Sequence, residues 1–265
     1  MVDVHHLLKK LWDDYRRINP QADGIQQFLQ ARGETVVNDH IAFRTFSDER
    51  VSIDVLARPF VAAGYTAGGE YLFPGKHLFA RHYAHTQANL PRIFISELKL
   101  DEMSNSLQST VGSLLDQIPA SELERSDLCQ RGRLWSLDIA TYRQLADESE
   151  YAGWLAAFGF RANHFTVLVN ALRTINGLRE LNALLRQQGY PLNTAGGEIK
   201  GTPAEYLEQS STLAAPVDIK FKDGVLEIPG CYYEFAQRYV QPNGDLFPGF
   251  VSGSADKIFQ STDRR

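Results

Sequence analysis

The chain has 265 residues, 43% hydrophobic and 22% charged, and a formal net charge of −5. That is enough for one large domain or two small ones with a substantial core. An acidic balance with no basic run argues against a nucleic-acid surface, and no apolar stretch approaches the roughly 18 residues of a membrane span.

Residues 1–10 carry His5, His6, Lys9 and Lys10 but no apolar run of signal-peptide type. Cys129 and Cys231 have no metal-type spacing and form no disulfide framework. A cytoplasmic location is therefore expected. Residues 4–18 read as a helix with Leu7, Leu8, Leu11, Trp12 and Tyr15 on one stripe, ended by Pro20. A short helix over 23–32 stops at Gly33, and Asn38-Asp39-His40-Ile41-Ala42-Phe43-Arg44-Thr45-Phe46 reads as a strand. An amphipathic helix over 49–63 follows, then Ala67-Gly68-Gly69-Glu70 as a turn, then strands at Leu78–Ala84 and Arg92–Leu98. The segment 101–160 reads as a helical insertion, with helices at 102–117 and 141–158 and no expected functional role. Asn163-His164-Phe165-Thr166-Val167-Leu168-Val169-Asn170 is again a strand, followed by a helix over 173–188. Ala195-Gly196-Gly197-Glu198 reads as a turn. Strands are expected at 205–212, 217–221 and 231–239, with a hairpin turn at Lys222-Asp223-Gly224. The tail beyond Pro242 reads as loop laid over the surface.

The two halves repeat one order: a strand bearing a histidine, a helix, Gly-Tyr, Ala-Gly-Gly-Glu, then strands. A repeat of this kind decides the architecture. The expected fold class is α+β: two βαβββ modules forming a curved metal-binding sheet, with N-terminal helices and the helical insertion. Module one spans about 35–100, the insertion about 101–160 and module two about 161–240, within a single domain over 1–265.

Glu234 lies between Tyr233 and Phe235 in a strand-like run. A carboxylate there is costly if buried and unpaired, so either its face meets water or a cation meets it. Strand side chains alternate, which places His40, Ala42 and Arg44 on one face. It groups His164 with Thr166 and Leu168, and Tyr232 with Glu234, Ala236 and Arg238. If those faces line one cavity, His40, His164 and Glu234 form a two-histidine, one-carboxylate site of the non-haem iron type. The ordinary alternatives are satisfied, half-buried histidines and a solvated strand glutamate.

The run Tyr232-Tyr233-Glu234-Phe235-Ala236-Gln237-Arg238 resembles the last strand of the vicinal-oxygen-chelate superfamily, in particular its 4-hydroxyphenylpyruvate dioxygenase group. Together with the motifs Asp39 to Phe46, Asn163-His164-Phe165-Thr166 and Leu207-Glu208-Gln209-Ser210-Ser211-Thr212, it resembles the DUF1338 family over residues 35–250. The resemblance implies an Fe(II)-dependent dioxygenase/decarboxylase that uses O2 and acts on a 2-oxo dicarboxylic acid, with 2-oxoadipate giving 2-hydroxyglutarate and CO2. It implies His40, His164 and Glu234 as metal ligands and Arg44 as the clamp for a substrate carboxylate, a geometry that suits a guanidinium.

Gln209 and Ser211 share a strand face and are candidates for binding substrate, against the plain reading of a polar outer face. Arg238 is read either beside the metal glutamate or paired with a carboxylate behind the ligands. Glu97 is read as the module-one counterpart of Glu234, or as a solvated residue. His77, His82 and His85 read best as surface histidines. Two other functions stay open: a redox-inert metal lyase or isomerase of glyoxalase type, with Glu234 or Glu97 as its base, and a non-catalytic module that binds a small acid.

Overall fold

The computed structural model describes residues 3–251 and Gly253; the end of the tail lies outside the described residues. Helix α1 (Val4–Ile18) buries Leu7, Leu11 and Tyr15, and the Asp3 carboxylate caps it by accepting from the N–H groups of His5 and His6. Pro20 opens the next helix, α2 (Pro20–Ala31), at a position where its missing N–H costs nothing.

Module one is β1 (Asn38–Phe46), α3 (Ile53–Ala62), β2 (Thr66–Phe73), β3 (Leu78–Ala84) and β4 (Arg92–Leu98). Four helices follow: α4 (Asn105–Leu115), α5 (Ala120–Leu123), α6 (Ile139–Glu148) and α7 (Glu150–Phe158). Module two is β5 (Ala162–Leu168), α8 (Leu178–Gln187), β6 (Lys200–Thr202), β7 (Leu207–Ser211) and, after a hairpin of β8 (Pro216–Phe221) and β9 (Gly224–Pro229), β10 (Tyr232–Arg238).

Eight strands form one curled sheet in the order β2-β3-β4-β1-β5-β10-β7-β6. Within each module the first and last strands pair in parallel (β1 with β4, β5 with β10), and antiparallel β1–β5 pairing joins the modules. The order therefore reads the same from either end once β1 is matched to β5 and β4 to β10. The two halves of the sequence thus form two equivalent halves of one sheet, as the repeat predicts.

The central strands are buried on both faces; in β1 every residue from Asp39 to Phe46 is buried. On the outer face the core packs against helices. Phe165 meets Trp12 at 5.1 Å and Tyr15 at 4.9 Å, and Phe43 meets Phe60 of α3 at 5.5 Å. The inner face carries His40, Ala42, Arg44, His164, Tyr232 and Glu234 into one cavity.

Several sequence expectations change. Ala67-Gly68-Gly69-Glu70 is strand, not turn: it belongs to β2, with a register shift between Ala67 and Glu70. A Cβ on Gly68 would lie 2.2 Å from Nε2 of His82, so glycine is needed there for close approach. Its second copy, 195–198, is a turn with Gly196 and Gly197 at φ of 69° and 99°. The helix expected over 141–158 is two helices broken at Ser149, whose side chain caps α7 through the Ala152 N–H. The helix expected over 173–188 begins only at Leu178, because Gly177 adopts φ 91°. The strand expected over 217–221 forms a separate two-stranded sheet with β9, and the module's own short strand is β6.

Candidate metal centre

Strand register brings the three candidate ligands together. In the β1–β5 pair His40 faces Thr166 and Ala42 faces His164, so the two histidines are diagonal neighbours. In the β5–β10 pair His164 lies beside Tyr232, and Thr166 beside Glu234. One row across the sheet is His40, Thr166, Glu234 and, on β7, Ser211; the next is Ala42, His164 and Tyr232.

The side chains close the remaining gap. His40 Nε2 lies 3.4 Å from Glu234 Oε1, His164 Nε2 lies 3.3 Å from Glu234 Oε2, and the two Nε2 atoms are 3.4 Å apart. All three residues are buried and their ligand atoms lie within 4.8 Å of one another. His40 Nδ1 donates to Asp39 Oδ1 at 2.8 Å, and His164 Nδ1 donates to Asn163 Oδ1 at 3.1 Å. The ring protons are then on Nδ1 and both Nε2 lone pairs face inward. Burial, with His40 and Arg44 adding to it, holds His164 well below the usual imidazole range, so it is neutral. Burial pushes the Glu234 carboxyl up, opposed by His40 and by the Gln209 amide. Two imidazole Nε2 atoms and a carboxylate facing one another in a buried cavity are a donor set that fits a divalent metal.

Asp39 is the support behind His40. Burial alone would raise its pKa, but Arg238 donates to it from Nε at 2.6 Å and Nη2 at 2.8 Å, and the guanidinium holds it far below the usual carboxylate range. Arg238 thus pairs with a carboxylate behind the ligands, one of the two roles expected for it. Its Nη1 also donates to the carbonyls of Phe247 and Gly249, both at 2.8 Å. These bonds lay the tail across the site. Phe250 is buried and packs edge-on against His40 at 4.8 Å, so this part of the tail is a cavity wall and not surface loop.

Arg44 lies on the same wall, 1% exposed. Its Nη1 donates to Glu150 at 3.0 Å, and its guanidinium stacks over Tyr151 at 4.8 Å and Trp154 at 5.0 Å. The insertion therefore does reach the site: α7 supplies the cage around Arg44. Gln209 lines the cavity and donates from Nε2 to Glu234 Oε1 at 2.5 Å. Ser211 is buried directly across from Glu234.

Glu97 is not the counterpart of Glu234. In module one Phe94 pairs with Ala42, two positions along from the His40–Arg92 pair; in module two Glu234 stands two positions along from the His164–Tyr232 pair. The position equivalent to Glu234 is therefore Phe94, which lines the cavity. Glu97 faces α3 and accepts from the Ile53 N–H at 3.2 Å, a favourable place for a carboxylate at a helix start. His77 and His85 lie outside the cavity, bonded to Glu102 and to the Gln87 N–H. His82 differs from the surface reading: it is buried, bonded to the Tyr71 hydroxyl at 2.8 Å, and pushed down to about 4 by burial and by Arg92 and Arg238. Of the residues first recognised in the structure, Asp39 and Asn163 leave a signal in the sequence, since each ligand histidine follows an Asx residue. Phe94, Glu150 and Phe250 leave none.

Paired βαβββ units around a buried metal-type site define a class. The fold is shared with a glyoxalase-superfamily protein from Ralstonia eutropha, with TM-score 0.78 at 21% identity over 93% of this chain and 85% of that one. Within that class the chain belongs to the 2-oxoadipate dioxygenase/decarboxylase family, whose description it matches over residues 3–247. It is 36% identical to the chloroplastic 2-oxoadipate dioxygenase/decarboxylase of Arabidopsis thaliana, over 94% of this chain and 74% of that protein. It superposes on the Oryza sativa hydroxyglutarate synthase, crystallised with 2-oxoadipate, with TM-score 0.91 and 31% identity over 97% and 91% of the two chains. A protein from Shewanella frigidimarina gives TM-score 0.91 at 45% identity, over 95% and 99%. The family resemblance read from the strand motifs is borne out.

Proposed function

We propose that this chain is a metal-dependent 2-oxo acid dioxygenase/decarboxylase that converts 2-oxoadipate and O2 to 2-hydroxyglutarate and CO2. The observation that carries the proposal is the convergence of His40, His164 and Glu234 in one cavity with the buried cation Arg44. The names of the relatives supply the substrate. Fe(II) is the metal we infer; bound there, it would supply a Lewis-acid site for the 2-oxo acid and the redox chemistry of O2.

The chain's own groups do the rest. His40, His164 and Glu234 would hold the metal. Asp39 fixes the His40 ring, and Gln209 orients Glu234. Arg44, caged by α7, meets the carboxylate remote from the 2-oxo group, and Gln209 and Ser211 border the metal end. Phe94 and Phe250 keep the reacting end dry. Both cysteines are buried thiols, which suits a reducing compartment, and we place the protein in the cytoplasm.

The test is reconstitution. Metal-free protein loaded separately with Fe(II) and Zn(II) is given 2-oxoadipate in air, and products are identified by mass spectrometry. The proposal expects 2-hydroxyglutarate from the Fe(II) form alone. Equal conversion by the Zn(II) form would contradict it.

A further inference from the structure

Three polar atoms on residues that line the cavity have no hydrogen-bond partner among the described residues: the Tyr232 hydroxyl, Oε1 of Gln209 and Nδ2 of Asn163. Tyr232 has no exposed surface, so its hydroxyl is hidden from water as well. Burying a hydroxyl without a partner is unfavourable. The ring alone would serve packing, since it stacks on His164 at 4.6 Å with the planes 27° apart; phenylalanine would do that without the cost. The hydroxyl therefore points to a ligand.

Its surroundings say which part of the ligand. By strand register Tyr232 lies on the row of Ala42 and His164, between the row of His40 and Glu234 and the position of Arg44 two residues beyond Ala42. Glu234, Arg44 and Glu150 are among the charged groups within electrostatic reach of its hydroxyl. Arg44 already gives one N–H to Glu150. An ionised carboxylate offers about four acceptor sites, so a carboxylate brought into this dry pocket beside Arg44 has acceptor sites to spare for a hydroxyl donor.

Resting on the functional reading above, we propose that the Tyr232 hydroxyl donates a hydrogen bond to the remote carboxylate of the bound 2-oxo dicarboxylic acid, beside Arg44. It thereby sets the preference for a dicarboxylic acid over a monocarboxylic acid of the same length.

The experiment is anaerobic calorimetry of Fe(II)-loaded wild type and Tyr232→Phe with 2-oxoadipate and with 2-oxohexanoate, which has a methyl group in place of the remote carboxylate. Tyr232→Phe should bind 2-oxoadipate roughly 10- to 100-fold more weakly, the range for a hydrogen bond to a charged group. Its affinity for 2-oxohexanoate and for Fe(II) should be unchanged, and its ligand-free melting temperature should be no lower than that of wild type. Equal binding of 2-oxoadipate by both proteins overturns the proposal while the functional reading stands. So does an equal loss for both acids, which would put the hydroxyl at the metal end, or a lowered melting temperature, which would give it a structural partner. If wild type binds neither acid, the functional reading falls and the proposal falls with it.

Discussion

His40 shows how one candidate ligand is prepared by its neighbours. Its Nδ1–H donates to Asp39, which stays ionised in the interior because Arg238 meets it with two N–H groups. The same arginine holds the carbonyls of Phe247 and Gly249, so ligand orientation and the cavity wall depend on one guanidinium. Asp39→Asn keeps the shape but removes the charge that makes the His40 ring a better donor. Metal titration should show affinity lowered by about 10- to 100-fold, the usual cost of losing such a support; unchanged affinity would show that Asp39 only orients the ring. At this scale much was legible. The alternation of β1 and β10 placed His40, Arg44 and Glu234 on inward faces, and Asp39-His40 and Asn163-His164 repeat the same pairing. Contacts across 106 residues, such as Arg44 with Glu150, leave no local pattern in a sequence.

At the scale of elements, register decides how many candidate ligands converge on the site. Four inward positions are equivalent by the internal symmetry: His40 and His164 on the first strands, Phe94 and Glu234 on the last. Phenylalanine at the fourth offers no ligand atom to a metal. Phe94→Glu is therefore expected to slow metal loss to a chelator while abolishing O2-dependent turnover. Buried without metal, the added carboxylate should also lower the melting temperature of the metal-free protein. Fast metal loss with activity retained would refute the equivalence. The pairing of two equivalent modules in one curved sheet was readable from the repeat, but the match of Glu97 to Glu234 was not safe. A shift by an odd number of residues reverses every side chain, and Glu97, three residues along β4 from Phe94, stands on the opposite face, paired with Thr45.

The whole molecule closes the site from pieces far apart in the chain. The Tyr15 hydroxyl of α1 donates to the Tyr232 carbonyl, α7 holds Arg44, and Phe250 covers His40. The free interior is about 20 Å³, room for an ion or a single water and not for a six-carbon acid. Substrate entry thus needs a wall to give, and Phe250 is the wall carried by loop instead of sheet. Phe250→Ala should speed substrate association and let O2 uptake exceed product formation, measured as the ratio of the two. Glu34 ties the segment before β1 to the one before α8, accepting from the Arg173 and Thr174 N–H groups and the Thr174 hydroxyl, each at 2.7 Å. Burial opposes its ionisation, but those donors outweigh it and lower its pKa. A depressed folded value gives stability that is present above the ordinary glutamate value of about 4.3 and is lost as pH falls through the folded value. Glu34→Gln should cost about 1–2 kcal/mol at pH 7, and the gap from wild type should narrow in urea unfolding below about pH 4. The tail carries no periodicity, which is why its role as a wall was invisible in the sequence.

The central claim is that this two-histidine, one-glutamate site drives oxidative decarboxylation of a 2-oxo acid. The most direct measurement follows O2 uptake and CO2 release together in Fe(II)-loaded protein given 2-oxoadipate, beside His164→Ala. The account predicts one CO2 per O2 in the wild type and neither in the variant. Conversion of the acid without O2, or equal uptake by His164→Ala, would contradict it.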